Sequence, residues 1–84
     1  MNIKWSNRAV ADNLENISFL FDEWGLDVVL NYEKKIIQVE ELLLKHPNAG
    51  VYIESIGYRK IAVAKQISIL YDIAGSTVLI VRLE

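Results

Sequence analysis

The sequence predicts an α+β fold of the order β-α-α-β-β-β, in which a short first strand and an antiparallel helical hairpin pack on an antiparallel sheet. Up to about residue 45, apolar residues recur at spacings of three and four, which is the period of a helix. From residue 58 onward they alternate, which is the period of a strand. Between the two stretches Pro47 ends the helical pattern, because its ring cannot continue a helix. We therefore expect a single domain over residues 1–84.

The first part of the chain predicts a strand and a helix. Asn2–Trp5 alternates as a short strand does, and Ser6 offers an N-cap oxygen to the helix that follows. The acidic side chains of the helix are expected on its solvent side, where they give solubility. The stripe expected to face the core has spacings of four, three, four and three and consists of Val10, Leu14, Ile17, Phe21 and Trp24.

A second helix follows almost without a link. Gly25 is placed to end the first helix and Asp27 to cap the second, so the two helices must lie antiparallel. The apolar stripe of the second helix consists of Val29, Tyr32, Ile36, Val39 and Leu43. If both stripes face the core, Leu14→Ala and Ile36→Ala each lower the free energy of unfolding by about 2–5 kcal/mol.

The second half of the chain predicts three strands joined by short turns. They cover Tyr58–Val63, Ile67–Ile73 and Thr77–Leu83. Val51–Ile53 fits either the start of a strand or an extended loop, and its residues alone do not decide between them.

The composition excludes several classes of protein. The net charge of −2 argues against a nucleic-acid binder, because phosphate neutralisation usually requires a basic excess. Without cysteine there is no disulfide or thiolate metal site, and the first residues lack the apolar run of a signal peptide. No apolar run approaches the length that spans a bilayer, so we expect a cytoplasmic protein with no membrane contact. The 52% apolar content fits either a densely used small core or an apolar surface that a partner covers.

Few residues carry chemistry of their own. The single histidine, His46, lies at the end of a helix, where a C-cap position is expected, and no second histidine or cysteine supports a metal site. No serine has a base nearby in sequence and no glycine-rich phosphate loop is present, so we expect no metal and no cofactor. What remains is a basic and aromatic group on the strands, which consists of Tyr58, Arg59, Lys60, Lys65, Tyr71 and Arg82. The candidates for catalysis among them are Arg59, Lys60, Tyr71 and Arg82. In a catalytic role, the cations would clamp a phosphate and the aromatic ring would stack on a base. In a structural role, the cations are charges on the sheet surface and the tyrosine packs at the edge of the core.

Several segments together resemble the RelE/ParE superfamily of toxins from type II toxin–antitoxin systems. The resemblance covers nearly the whole chain, and the segments that carry it are Ile3–Ala9, Phe21–Gly25, His46–Gly50, Tyr58–Val63, Ile69–Ile73 and Thr77–Ile80. It implies a bacterial growth inhibitor neutralised by a cognate antitoxin, which wraps an extended or helical segment around the toxin. A homodimer and a heterotetramer with the antitoxin are the assemblies that we consider.

The superfamily divides by target. RelE-like members cleave mRNA on the ribosome, and for that activity the candidate residues here are Arg59, Lys60, Arg82 and Tyr71. The nucleases resemble one another in an arginine at the position where this sequence has Ser68. They also use a C-terminal tail, whereas this sequence ends at Glu84. The net charge of the chain is negative as well. We therefore expect a ParE-like toxin that acts on DNA gyrase and is not a nuclease. The alternatives are a ribosome-dependent mRNA endoribonuclease and a catalytically inactive module of the same fold that only binds protein.

Overall fold

A computed structural model describes residues 1–84, and it confirms the α+β fold with the hairpin on one face of the sheet. The elements are β1 (Asn2–Trp5), α1 (Asn7–Trp24), α2 (Leu26–Lys45), β2 (Val51–Ile53), β3 (Tyr58–Ala64), β4 (Ile67–Ala74) and β5 (Thr77–Leu83). The segment that the sequence left open is therefore a strand, β2, which pairs with β3 at the edge of the sheet. Neither helix is long and apolar enough to cross a membrane.

The sheet is mixed rather than wholly antiparallel, with the strand order β1-β5-β4-β3-β2. The hairpins of the second half pair antiparallel, as expected, but β1 lies parallel to β5, with Ile3 opposite Val78 and Trp5 opposite Ile80. The first strand thus pairs with the last one, although the hairpin and three strands lie between them in the sequence. This pairing fixes where α1 begins relative to the sheet.

The ends of the helices are set by a serine N-cap, a glycine between the two helices and a histidine C-cap. The Ser6 hydroxyl accepts a hydrogen bond from the Ala9 amide at 3.0 Å and donates one to the Val81 carbonyl at 2.8 Å, so the N-cap of α1 is also bound to β5. Gly25 lies at φ 90°, a conformation that favours glycine, and it alone separates the two helices. His46 occupies the C-cap position of α2 as expected.

The buried face of α1 is not the one that the apolar spacing predicted. Ala9 and Asp12 are buried and Asn13 and Asn16 are half-buried, whereas Leu14 is 61% exposed. Of the predicted stripe, only Ile17 packs against the core. The physical reason is that this side of the helix approaches its neighbours through a small residue and through polar groups that find partners. The Tyr32 hydroxyl of α2 donates to the Asn13 amide oxygen at 2.7 Å and accepts from the Asn16 amide nitrogen at 3.4 Å.

The face of α2 follows the prediction. Val29, Tyr32, Ile36 and Leu43 are buried, and Val39 packs half-buried against the same core. The sheet contributes the remaining core side chains, of which the largest fully buried ones are Tyr71, Ile69, Ile80 and Val78. The core therefore lies between α2 and strands β3, β4 and β5, with α1 covering one end.

The stability of two alanine variants tests this division of faces. Leu14→Ala should change the free energy of unfolding by less than about 1 kcal/mol, because its side chain already contacts water. Ile36→Ala should still cost about 2–5 kcal/mol. Urea denaturation measures both, and equal losses in the two variants would return Leu14 to the core.

Candidate functional site

The four candidate catalytic residues lie on adjacent rows of the sheet but do not form one cluster. Arg59 faces Tyr71 across β3 and β4, on the side that carries the helices. Lys60 and Arg82 are both in register with Leu70, one row further along. Because side chains alternate between the two faces of a sheet, Lys60 points away from the side on which Arg59 and Tyr71 lie.

Tyr71 and Arg59 together hold the segment that leaves α2. The buried Tyr71 hydroxyl donates to the Pro47 carbonyl at 2.6 Å and accepts from the Gly50 amide at 2.8 Å. The Arg59 guanidinium donates to the Gly50 carbonyl at 2.8 Å. A Cβ on Gly50 would stand 2.7 Å from the Tyr71 ring and hydroxyl, so this position accepts only glycine without movement. The polar ends of both candidates are thus bound to backbone groups.

Arg82 is bound to a residue that the sequence placed in solvent. Its Nε donates to Asp12 Oδ2 at 2.9 Å, and the Leu83 amide donates to the same oxygen at 3.1 Å. Arg8 lies 3.5 Å from the other carboxylate oxygen. Asp12 is only 7% exposed, so its assignment to the solvent side of α1 was wrong. One signal was present in the sequence, since Arg82 is the only charged residue among the apolar and β-branched residues of β5.

The pKa of Asp12 reflects this environment. Burial by itself would raise the pKa, but the hydrogen bonds from Arg82 and the Leu83 amide, with the charges of Arg82 and Arg8, outweigh it and lower the pKa below 3.8. The same pair raises the pKa of Arg82, chiefly through its hydrogen bond to Asp12. The two residues therefore form a charged link between α1 and the end of β5.

Lys60 is the one candidate that is exposed and for which no hydrogen bond or ion pair is found. The only histidine, His46, is exposed at the C-cap of α2, and no group of three His, Cys, Asp or Glu side chains could hold a metal ion. Of the four candidates, the arrangement thus leaves one cation free. It does not bring an acid–base pair together with a phosphate clamp, which are the groups that RNA cleavage would require.

A groove that the sequence analysis did not identify lies where the helical hairpin meets β1. The groove lies between α1 and α2, has a volume of about 370 Å³ and is lined by Trp5, Asn13, Ile17, Glu33, Ile36, Ile37 and Glu40. A second groove of about 430 Å³ lies between the last turns of α1 and the β3–β4 turn, beside Phe19 and Trp24. Both concavities use side chains of α1, and the first mixes apolar side chains with Asn13, Glu33 and Glu40.

Comparisons with known proteins agree on the family. The family model described as ParE toxin of type II toxin–antitoxin system, parDE, matches residues 3–84. A solved structure titled as the chromosomal ParDE TA system from P. aeruginosa is similar in fold, with a TM-score of 0.82 and 22% sequence identity, over 100% of this chain and 94% of that one. Among curated protein sequences, none matches.

The Asp12 link predicts a specific pH dependence. A carboxylate with a lowered pKa in the folded state stabilises that state above its unfolded pKa and loses this effect as the pH falls through the folded value. Asp12→Asn should therefore lower the free energy of unfolding by about 1–3 kcal/mol at neutral pH. The difference from the unchanged protein should shrink below about pH 4. Urea denaturation across pH measures it, with the exposed Asp22→Asn as control; a difference that does not vary with pH would contradict the assignment.

The Tyr71 hydroxyl predicts a second effect on stability. Tyr71→Phe keeps the ring but leaves the Pro47 carbonyl and the Gly50 amide without their partner, which should cost about 1–3 kcal/mol. Tyr58→Phe makes the same chemical change at a half-buried position and should cost less than about 0.5 kcal/mol. Thermal and urea denaturation compare the two variants, and equal losses would show that the hydroxyl does not hold the turn.

Proposed function

This chain belongs to the ParE toxin family of type II toxin–antitoxin systems, and we propose that it inhibits growth by acting on DNA gyrase until a cognate antitoxin neutralises it. The family itself is assigned by the match over residues 3–84. The target and the neutralisation are the proposal. The site of action would be the cytoplasm, where gyrase and its DNA lie.

The observation that carries the choice of target is the engagement of the nuclease candidates in structural contacts. Tyr71 and Arg59 hold the segment after α2, and Arg82 is paired with Asp12. A ribosome-dependent nuclease would need such groups free to meet a phosphate and to move a proton. These contacts, together with the net charge of −2, favour a toxin that acts by binding a protein over one that cleaves mRNA.

Neutralisation by an antitoxin is supported by the surfaces that the fold leaves open. The short strand β2 ends the sheet on one side and β1 ends it on the other, so both edges can accept an added strand. The hairpin exposes large apolar side chains that a partner would cover. The similar P. aeruginosa structure is described as a ParDE system, which is consistent with a ParD-type antitoxin for this chain.

The decisive experiment assays the purified protein against gyrase and against translating ribosomes side by side. We expect inhibition of plasmid supercoiling at protein concentrations that produce no ribosome-dependent cuts in mRNA. Lys60→Ala tests the nuclease alternative directly, because this exposed side chain can be removed with little effect on folding. Lys34→Ala, which removes the same charge from the exposed side of α2, is the matched control.

Each alternative has its own result. Cleavage of mRNA that is lost in Lys60→Ala and kept in Lys34→Ala would establish the endoribonuclease and reject the gyrase proposal. Binding of the protein encoded by the neighbouring reading frame, without effect on either target and without a growth defect, would leave only a protein-binding module. Co-purification with that neighbour, together with gyrase inhibition that the neighbour reverses, is the expected outcome.

A further inference from the structure

Three cationic side chains without a carboxylate partner lie at the end of the molecule where α2 leads into β2. They are Lys45, Arg59 and Lys60. Both ion pairs of the chain are formed elsewhere, on Asp12, so none of the three cations is neutralised by contact. The stretch from residue 45 to residue 60 contains one acidic side chain, Glu54. We call this region, residues 45–60, the β2 end.

The opposite end of α2 has the reverse charge. Residues 22–27, where α1 ends and α2 begins, contain Asp22, Glu23 and Asp27 and no basic residue. A helix of 20 residues is about 30 Å long, so α2 holds the two ends far apart. Interactions between exposed charges are largely screened beyond about 10 Å at moderate salt. The acidic end therefore does not cancel the positive field of the β2 end.

Exposed apolar and aromatic side chains stand among these cations. Val51 is 70% exposed and Tyr52 is 55% exposed, and Ile56 in the turn after β2 is exposed as well. The Arg59 guanidinium lies over the Tyr52 ring, 6.0 Å from its centre. Tyrosine and arginine are enriched where proteins bind proteins, with apolar contact at the centre of the interface and charges around it. The β2 end has this composition.

The backbone of the β2 end is held in place by the rest of the chain. Tyr71 and Arg59 bind the segment after α2 through hydrogen bonds to its backbone. Within the sheet, Val51 lies opposite Lys60, and on the other face Tyr52 lies opposite Arg59. Because β2 is the outermost strand, both faces meet at its free edge, where one partner can contact both pairs. A surface that is ordered in advance loses less entropy on binding.

Charge and composition together indicate the kind of partner. Carboxylates opposite the cations would gain charge-assisted hydrogen bonds, whereas a basic surface would be repelled. A nucleic-acid backbone fits less well, because interfaces with DNA are more polar and much more positively charged than this one. An acidic protein surface satisfies the cations and the exposed apolar side chains at once.

We propose that the β2 end is the surface by which this chain binds its protein target, and that the target presents an apolar centre flanked by Asp or Glu side chains. The identification of that target with gyrase rests on the proposed function, whereas the charge and the composition of the surface do not. Attraction between opposite charges speeds association and weakens with salt. Binding to the target is therefore salt-dependent, although the chain as a whole is acidic.

Reversal of two charges tests the surface. The double variant Lys45→Glu/Lys60→Glu puts repulsion in place of attraction at two exposed positions, and Arg59 stays because it holds the segment after α2. The matched control is Lys4→Glu/Lys34→Glu, which changes one exposed lysine at the other edge of the sheet and one on the same helix. Thermal unfolding of both double variants measures whether the fold is kept.

Two readouts separate the surface from the identity of the target. Growth inhibition on expression assumes no target, and the association rate with immobilised gyrase measures the proposed one. The double variant should lose growth inhibition and should associate with gyrase about tenfold more slowly, while the control should stay within about twofold of the unchanged chain. Raising the salt from about 50 to about 300 mM should slow the unchanged chain more than the double variant.

A second pair of variants tests the apolar part without changing a lysine. Val51→Asp puts a charge where the proposed contact is apolar and should weaken binding to the target about tenfold. Val51→Ile keeps the apolar character and should bind as the unchanged chain does. Equal binding by the two variants would show that the target does not cover Val51 and would contradict the proposal.

The remaining outcomes each decide one point. Loss of growth inhibition in the charge-reversed variant, when even the unchanged chain does not bind gyrase, would keep the β2 end and reject gyrase as the target. Gyrase inhibition that persists in this variant would overturn the inference and keep the proposed function. Binding of a labelled DNA duplex, or cleavage of mRNA, that is lost in the same variant would assign the cations to phosphates and overturn it. The inference also fails if the variant stays toxic but no longer binds the antitoxin.

Discussion

Polar contacts set the rotation of α1 about its axis, and the carboxylate of Asp12 makes the central one. It joins the helix to the end of β5 through Arg82 and the Leu83 amide, while Ser6 joins the start of the same helix to Val81. Hydrogen bonds are directional, so they fix the rotation of a helix about its axis as well as its distance. With α1 rotated in this way, Asp12 and Asn13 are turned inward, and Leu14, Phe21 and Trp24 are left exposed. The exposure of the apolar side of α1 thus follows from a buried charge.

Periodicity identified every helix of the chain but could not say which side of α1 is inside. A heptad row looks the same whether it meets the chain's own sheet or another molecule, because both interfaces select apolar residues at the same spacing. On α2 the apolar stripe from Val29 to Leu43 was correctly assigned to the core. On α1 the inward side combines Ala9, Ile17 and Leu20 with hydrogen-bonded polar residues. Spacing alone cannot distinguish those polar residues from a solvent face.

The strands show a similar limit. Alternation predicted β3, β4 and β5 to within one residue at their ends, because each pairs with its neighbour in sequence. The parallel pairing of β1 could not be read from local pattern, since its partner lies far along the chain. The four candidate catalytic residues do not form one site, because local pattern does not show which partner or which face of the sheet each residue has. Arg59 and Lys60 are adjacent in sequence, yet they point to opposite faces, and one of them is used to hold a turn.

The pairing of β1 with β5 also governs how the chain acquires its structure. The contact between Ser6 and Val81 closes a loop of 75 residues, so the N-cap of α1 has no partner in the sheet until almost all of the chain has been synthesised. Contacts of such sequence separation slow folding, because the entropy of closing the loop is lost before the contact forms. A nascent chain that still lacks β5 would therefore have an incomplete sheet, and the Ser6 hydroxyl would lack its bond to Val81. The contacts between α1 and α2 join residues much closer in sequence, so they do not have to wait for the last strand.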